Sequence, residues 1–128
     1  MRLLADTHAL LWFLQNDARL SRPAARAMES ADHTLHVSAA SVWEIAIKAS
    51  LGKLIVPYTL DEDLPRILRD NDITPLPVTL THAAHVQGLP FLHHDPFDRL
   101  LVAQALAERL DIVTSDPVFA KYGLTVVW

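Results

Sequence analysis

Asp6, Glu44, Asp98 and Asp116 are the residues of this sequence whose types and placement could do chemistry together. Asp6 closes the apolar run LLA. Glu44 lies in SAASVWEIAIK, among side chains that are apolar nearly all round, so the segment reads as buried, and a buried acid needs a partner. Asp98 stands with Asp95 at the mouth of the apolar run in FLHHDPFDRLLVAQAL, and Asp116 follows DIVTS. If the four converge, they repel. Two unit charges about 4 Å apart cost about 1 kcal/mol in water and about 4 kcal/mol at an effective dielectric of about 20. Such a cluster holds extra protons or binds cations. A pocket of carboxylates alone suits the hard ions Mg2+ and Mn2+, which prefer oxygen ligands. The consequent chemistry is metal-assisted hydrolysis of a phosphodiester.

Each acid also has a plainer role. Asp6 could cap the helix that begins beside it. Glu44 could close a capping box with Ser41 or pair with Lys48 at i+4, worth about 0.3–0.5 kcal/mol if exposed. Asp95 is a good N-cap, Pro96 fits the first helical position, and Asp98 then falls at N3. Asp116–Pro117 repeats that start. Singly, the structural role outweighs the chemical one for each; together the balance moves toward a shared site.

The elements that must position these acids alternate. Strands are expected at Arg2–Ala5, Leu35–Ser38, Ile73–Val78, Asp111–Thr114 and Leu124–Val127. Helical spacing covers His8–Leu14, Pro23–Ser30, Ala39–Leu51 (closed by Gly52), Leu60–Asp70 (capped by Thr59 or Asp61), Thr81–Gln87 and Phe97–Leu110. The alternation predicts an α/β protein with a mostly parallel five-stranded sheet. Pro75 and Pro77 push the third strand to a sheet edge. In a parallel sheet the carboxyl ends of the strands share one edge, where ligands bind at the reversal of strand order. Asp6 and Asp116 come directly off such ends; Glu44 and Asp98 lie near the starts of helices facing the same crevice.

The 128 residues fit one domain, 1–128, with a real core, and 51% hydrophobic content argues against disorder. The absence of cysteine excludes a disulfide scaffold, a thiolate nucleophile and a Cys-ligated metal. Asp6 and His8 interrupt the apolar start and no small-residue cleavage site follows, so a signal peptide is not expected. No apolar stretch reaches spanning length. The expectation is a soluble, cytoplasmic protein without a membrane partner. The net charge of −4 weighs against a large basic nucleic-acid face, although bound cations reverse local charge.

LLADTHALLWFL, SAASVWEIAIKASLGKL, LPFLHHDPFDRLLVAQAL and DIVTSDPVFAKYG together, and in this order, resemble the sequence blocks of PIN-domain proteins, particularly the VapC-type toxins of bacterial toxin–antitoxin pairs. The resemblance implies a three-layer α/β/α PIN-like fold and Mg2+- or Mn2+-dependent endoribonuclease activity on RNA. It assigns the family's acids to Asp6, Glu44, Asp98 and Asp116 as metal-binding and catalytic residues. DRLLVAQA matches the family's third-acid helix, which gives that role to Asp98 and leaves Asp95 as the cap. It also implies a homodimer and a small antitoxin partner laid over the acidic crevice.

Other polar residues carry weaker signals. His82 and His85 lie at i, i+3, but no third ligand is placed by spacing, so surface histidines are expected rather than zinc. His93 and His94 could contact a substrate phosphate, with a loop role weighing equally. His8 borders the expected pocket. Thr114 and Ser115 could bond a ligated water, their plainer role being turn chemistry. Lys48 is expected to pair with Glu44. Arg99 is assigned no more than a guess at substrate or partner contact. Trp12, Phe13 and Trp43 read as core or dimer-interface residues rather than base-stacking platforms.

Rival readings are a phosphoreceiver-like binding module, a structure-selective DNase and a catalytically inactive acidic α/β interaction domain. ITPLPV ends without the acid a receiver needs. With only Gly52, Gly88 and Gly123, no phosphate loop exists, and Asp6 is followed by Thr7–His8 rather than a D-x-D.

Overall fold

A computed structural model describes residues 1–128. Leu3, Leu4 and Ala5 are all fully buried, and that run, too apolar for either face to meet water, makes β1 (Arg2–Ala5) the central strand. It pairs in parallel with β2 (Thr34–Ser38) on one side and β4 (Asp111–Val113) on the other. β3 (Ile73–Leu76) and β5 (Val126–Val127) complete a five-stranded, all-parallel sheet of order β3-β2-β1-β4-β5. The third strand does lie at an edge, and it stops before Pro77.

Side chains alternate through β1 onto two cores. Leu3 and Ala5 join α1 (Thr7–Leu14), α2 (Arg22–Glu29), Ile45 of α3 (Ala39–Ser50) and α4 (Asp63–Asp70). Leu4 packs on the opposite face with Leu101, Val102 and Ala105 of α6 (Pro96–Glu108). A short α5 (Leu80–His85) runs on into a 3-10 turn at Val86–Gly88 beside it. The result is the expected three-layer α/β/α arrangement. No helix is long and apolar enough to cross a membrane.

Boundaries differ where caps decide them. Asp6 accepts from the Ala9 amide, so α1 starts at Thr7. α4 begins at Asp63 rather than Leu60. The Thr59 hydroxyl accepts from the Asp63 amide and the Asp63 carboxylate accepts from the Thr59 amide, which closes residues 60–62 into a turn. Gly52, at φ +71°, follows α3 in the left-handed conformation expected of a residue that ends a helix.

The chain builds β1, β2 and β3 outward in one direction and then returns across β1 to lay down β4. Strand order therefore reverses between β1 and β4, and a crevice is expected where the chain leaves their paired carboxyl ends.

Candidate active site

β1 delivers Asp6 to that crevice with 7% of its surface exposed. One oxygen caps α1 through the Ala9 amide at 2.8 Å; the other accepts from the Thr114 hydroxyl. Thr114, itself fully buried just after β4, also accepts from the Asp116 amide at 3.0 Å. A single hydroxyl thus links the acids that follow the two adjacent strands. Burial pushes the Asp6 carboxyl above its ordinary range, and Glu44 adds to the effect; the Thr114 and Ala9 hydrogen bonds oppose it.

Ser38 starts α3 by accepting from the Ala40 amide, which turns Glu44 inward at 6% exposure. Its Oε1 accepts from the Thr7 hydroxyl at 2.8 Å, and its Oε2 pairs with Lys48 Nζ at 2.7 Å. The ion pair with Lys48 is as expected. The capping box with Ser41 does not form; the Ser41 hydroxyl lies 3.0 Å from that of Thr7.

At the start of α6 the division of labour between the two aspartates is plain. Asp95 Oδ1 accepts from the amides of Phe97 and Asp98, and Pro96 occupies the first turn. That leaves the Asp98 carboxylate free to face the crevice, where its Oδ2 lies 3.0 Å from His93 Nε2. Asp116 caps the 3-10 turn Pro117–Tyr122 through the Val118 amide at 2.9 Å, and its other oxygen lies 2.9 Å from the same His93 nitrogen. The Asp95 amide donates to His93 Nδ1, which leaves the ring proton on Nε2, between the two carboxylates. Burial, and next the charge of Asp95, push the Asp98 carboxyl up to about 7; His93 opposes them, while Glu44 and Asp6 add to them.

Asp6, Glu44, Asp98 and Asp116 therefore all line one cavity of about 200 Å3, with Lys48, His93 and Asp95 also on its walls. Asp6 and Asp116 each cap with one oxygen and give the other to a neighbour at the cavity, Thr114 for Asp6 and His93 for Asp116. Candidate ligand atoms of His93, Asp98 and Asp116 lie within 4.8 Å of one another. The donors are mostly carboxylate oxygens, and burial first, with their mutual charge adding, raises two of the carboxyls; such an oxygen-rich set suits a hard divalent cation.

Several expectations are corrected. His82 is 2% exposed, not a surface residue: its Nδ1 accepts from the Thr79 amide and its Nε2 bonds Glu108. Of the two adjacent loop histidines, His93 lines the cavity and His94 is exposed outside it, as the loop reading allows. Of the two places expected for Trp43, core or interface, the core is ruled out: it is 60% exposed, edge-on to Phe97. Arg99 is buried and donates to the carbonyls of Pro90 (2.9 Å), Val86 (3.2 Å) and Leu89 (3.3 Å), fastening the loop that carries His93. Tyr122 holds the same loop by accepting from the Leu92 and His93 amides. The signal for Arg99 was its register with Val102 and Ala103 on the apolar stripe of α6. Nothing local in the sequence pointed to Thr7 as a donor to Glu44.

With this geometry in hand, relatives can be compared. Residues 3–124 match the family model of the PIN domain. Ribonuclease VapC22 of Mycobacterium tuberculosis is 34% identical over 117 residues, spanning 89% of this chain and 86% of that protein. Among solved structures, VapBC2 from Rickettsia felis bound to a promoter DNA fragment superposes with a TM-score of 0.68 at 14% identity, covering 98% of this chain and 97% of the other. VapBC-1 from nontypeable Haemophilus influenzae superposes at 0.63 and 17% identity, covering 98% and 96%. At such identities the superpositions speak to fold; the family match and the VapC22 identity carry the assignment. The chain belongs to the PIN-domain family.

Proposed function

We propose that this chain is a Mg2+- or Mn2+-dependent endoribonuclease and the toxin of a toxin–antitoxin pair. The observation that carries the reading is the convergence of Asp6, Glu44, Asp98 and Asp116 on one cavity, from four separate segments of the chain. The ribonuclease activity in the name of VapC22 supports the substrate class, and the VapBC complexes support an antitoxin partner.

Asp6, Glu44, Asp98 and Asp116 would hold the cation. When bound, it supplies a lowered pKa for an attacking water and neutralises charge at the phosphate oxygens. The chain's own residues do the rest. Thr114 and the Ala9 amide fix Asp6 in one rotamer. Thr7 and Lys48 fix Glu44. Lys48, half-exposed at the rim, faces the side from which a phosphate approaches. Asp98, its carboxyl pushed up to about 7 chiefly by burial, is only partly ionised in neutral solution and would bind the cation as the carboxylate. His93 orients Asp98 and Asp116 through its Nε2 proton. A homodimer completes the proposal, with the exposed Trp43 beside Phe97 as an apolar surface available to it.

The test is incubation of the purified chain with single-stranded RNA in Mg2+ or Mn2+. Cleavage is expected, lost with EDTA and lost in Asp98→Asn while circular dichroism stays native. Cleavage of DNA but not RNA would replace the reading with the DNase one. No cleavage of either, with no thermal shift in millimolar Mn2+, would leave an inactive interaction domain.

A further inference from the structure

A second cavity, of about 440 Å3, adjoins the acidic one along α1 and the end of α3. The two share Thr7, His8 and Lys48 and so lie side by side as two parts of one trough divided by those residues. Its chemistry reverses along its length. The second part has no Asp or Glu on its walls and carries Arg19, Lys48 and Lys53. In a chain of net charge −4, a wall carrying cations and no carboxylate of its own is a local departure, and its uncompensated charge is that of Lys53. Arg19 is anchored by Asp17 at 2.8 Å, and Lys48 by Glu44. Lys53 is exposed, and no ion pair or side-chain hydrogen bond occupies its amine.

The same wall has an aromatic and apolar floor. Trp12 lies 5.5 Å from the His8 ring, with the Arg19 guanidinium 5.1 Å from its centroid, and Leu54 lines the cavity with it. A cationic rim tracking a backbone beside a surface on which bases stack is the chemistry that takes single-stranded nucleic acid. An acidic peptide would match the cations but brings no planar base to the Trp12–Leu54 floor. A phosphodiester strand matches both halves once a cation sits among the acids.

Resting on the ribonuclease reading above, we propose that the Lys53–Trp12 half of the trough binds the unpaired RNA strand beside the cleaved phosphodiester. Lys48 and Lys53 face phosphates there, and a base packs against Trp12 and Leu54. Trp12 was expected to serve the core or an interface; it does pack edge-on against Trp128, while it also lines this trough.

The test is fluorescence anisotropy of a short labelled single-stranded RNA with the full chain, Ca2+ replacing Mg2+, over a KCl series. Lys53→Ala is expected to reduce the slope of log affinity against log salt by about 0.7, the contribution of one phosphate contact on a single strand. Lys53→Glu is expected to weaken binding by about tenfold. Arg26→Glu, an equal change of charge at an exposed position lining neither cavity, is expected to leave affinity within about twofold. If Lys53→Glu behaves like Arg26→Glu while the wild type still cuts RNA, this inference is overturned, the ribonuclease reading stands, and the trough falls to a protein partner. If the wild type neither binds nor cuts RNA, both are overturned.

Discussion

The hydroxyl of Thr114 donates to the carboxylate of Asp6 across 108 residues of sequence, tying the end of β4 to the end of β1 where strand order reverses. Because the same oxygen accepts from the Asp116 amide, one buried atom sets the spacing of two acids. Thr114→Val keeps the shape and removes the hydroxyl. It is expected to cost about 1–3 kcal/mol in chemical denaturation, as the buried carboxylate and amide lose their partner. It should also raise the Asp6 carboxyl further, since that hydrogen bond holds it down, and so move the pH dependence of cleavage upward. Thr114→Ser should restore both; equal loss in the Val and Ser variants would count against the link.

Asp98 makes the metal-free protein sensitive to pH. Its carboxyl is pushed up to about 7 in the folded chain, against about 3.9 when unfolded. Between those values the native state holds a proton that the unfolded state has lost, so stability falls as pH rises through the window. Asp6, raised in the same direction, adds to the slope. In EDTA, Tm is expected to drop from pH 5 to pH 8 in the wild type and to drop less in Asp98→Asn. Millimolar Mn2+ should reverse the drop, by about 2.7 kcal/mol at a hundredfold excess over Kd. A wild-type slope shared by Asp98→Asn would mean that this carboxyl is not the one resisting ionisation.

Arg99 holds the His93 loop rather than a substrate. Arg99→Ala removes donors from the carbonyls of Val86, Leu89, Pro90 and His93 and a cation 4.3 Å from the Phe91 ring. Hydrogen exchange of the amides in residues 89–95 should accelerate by roughly tenfold or more, as follows from losing about 1.5–3 kcal/mol of charge-assisted bonding. The amides of β1 should stay protected. Uniform acceleration through the sheet would show a global rather than a local role.

What the sequence made legible was what is encoded locally. Apolar runs gave the strands, Pro75 and Pro77 put β3 at the edge, and Asp95–Pro96 marked the start of α6 with Asp98 left over. The acids could be grouped because strand ends in a parallel sheet face one way, a rule that needs no knowledge of side-chain contacts. What escaped depends on tertiary partners. His82 reads as a surface residue until Thr79 and Glu108 are seen to satisfy both ring nitrogens. Arg99 offers only substrate or partner contact until the loop carbonyls are seen to close over it. Trp43 reads as core or interface, and the helix turns it outward because Glu44 and Ile45 take the inner face.

The account turns on the four carboxylates sharing a divalent cation. Anomalous diffraction from crystals of the chain grown with millimolar Mn2+ tests this directly. The expected result is a manganese peak within coordination distance of Asp6, Asp98 and Asp116, with Glu44 facing it and the His93 Nε2 contacts loosened. No peak in the cavity, with Asp98 and Asp116 still held by His93, would contradict it.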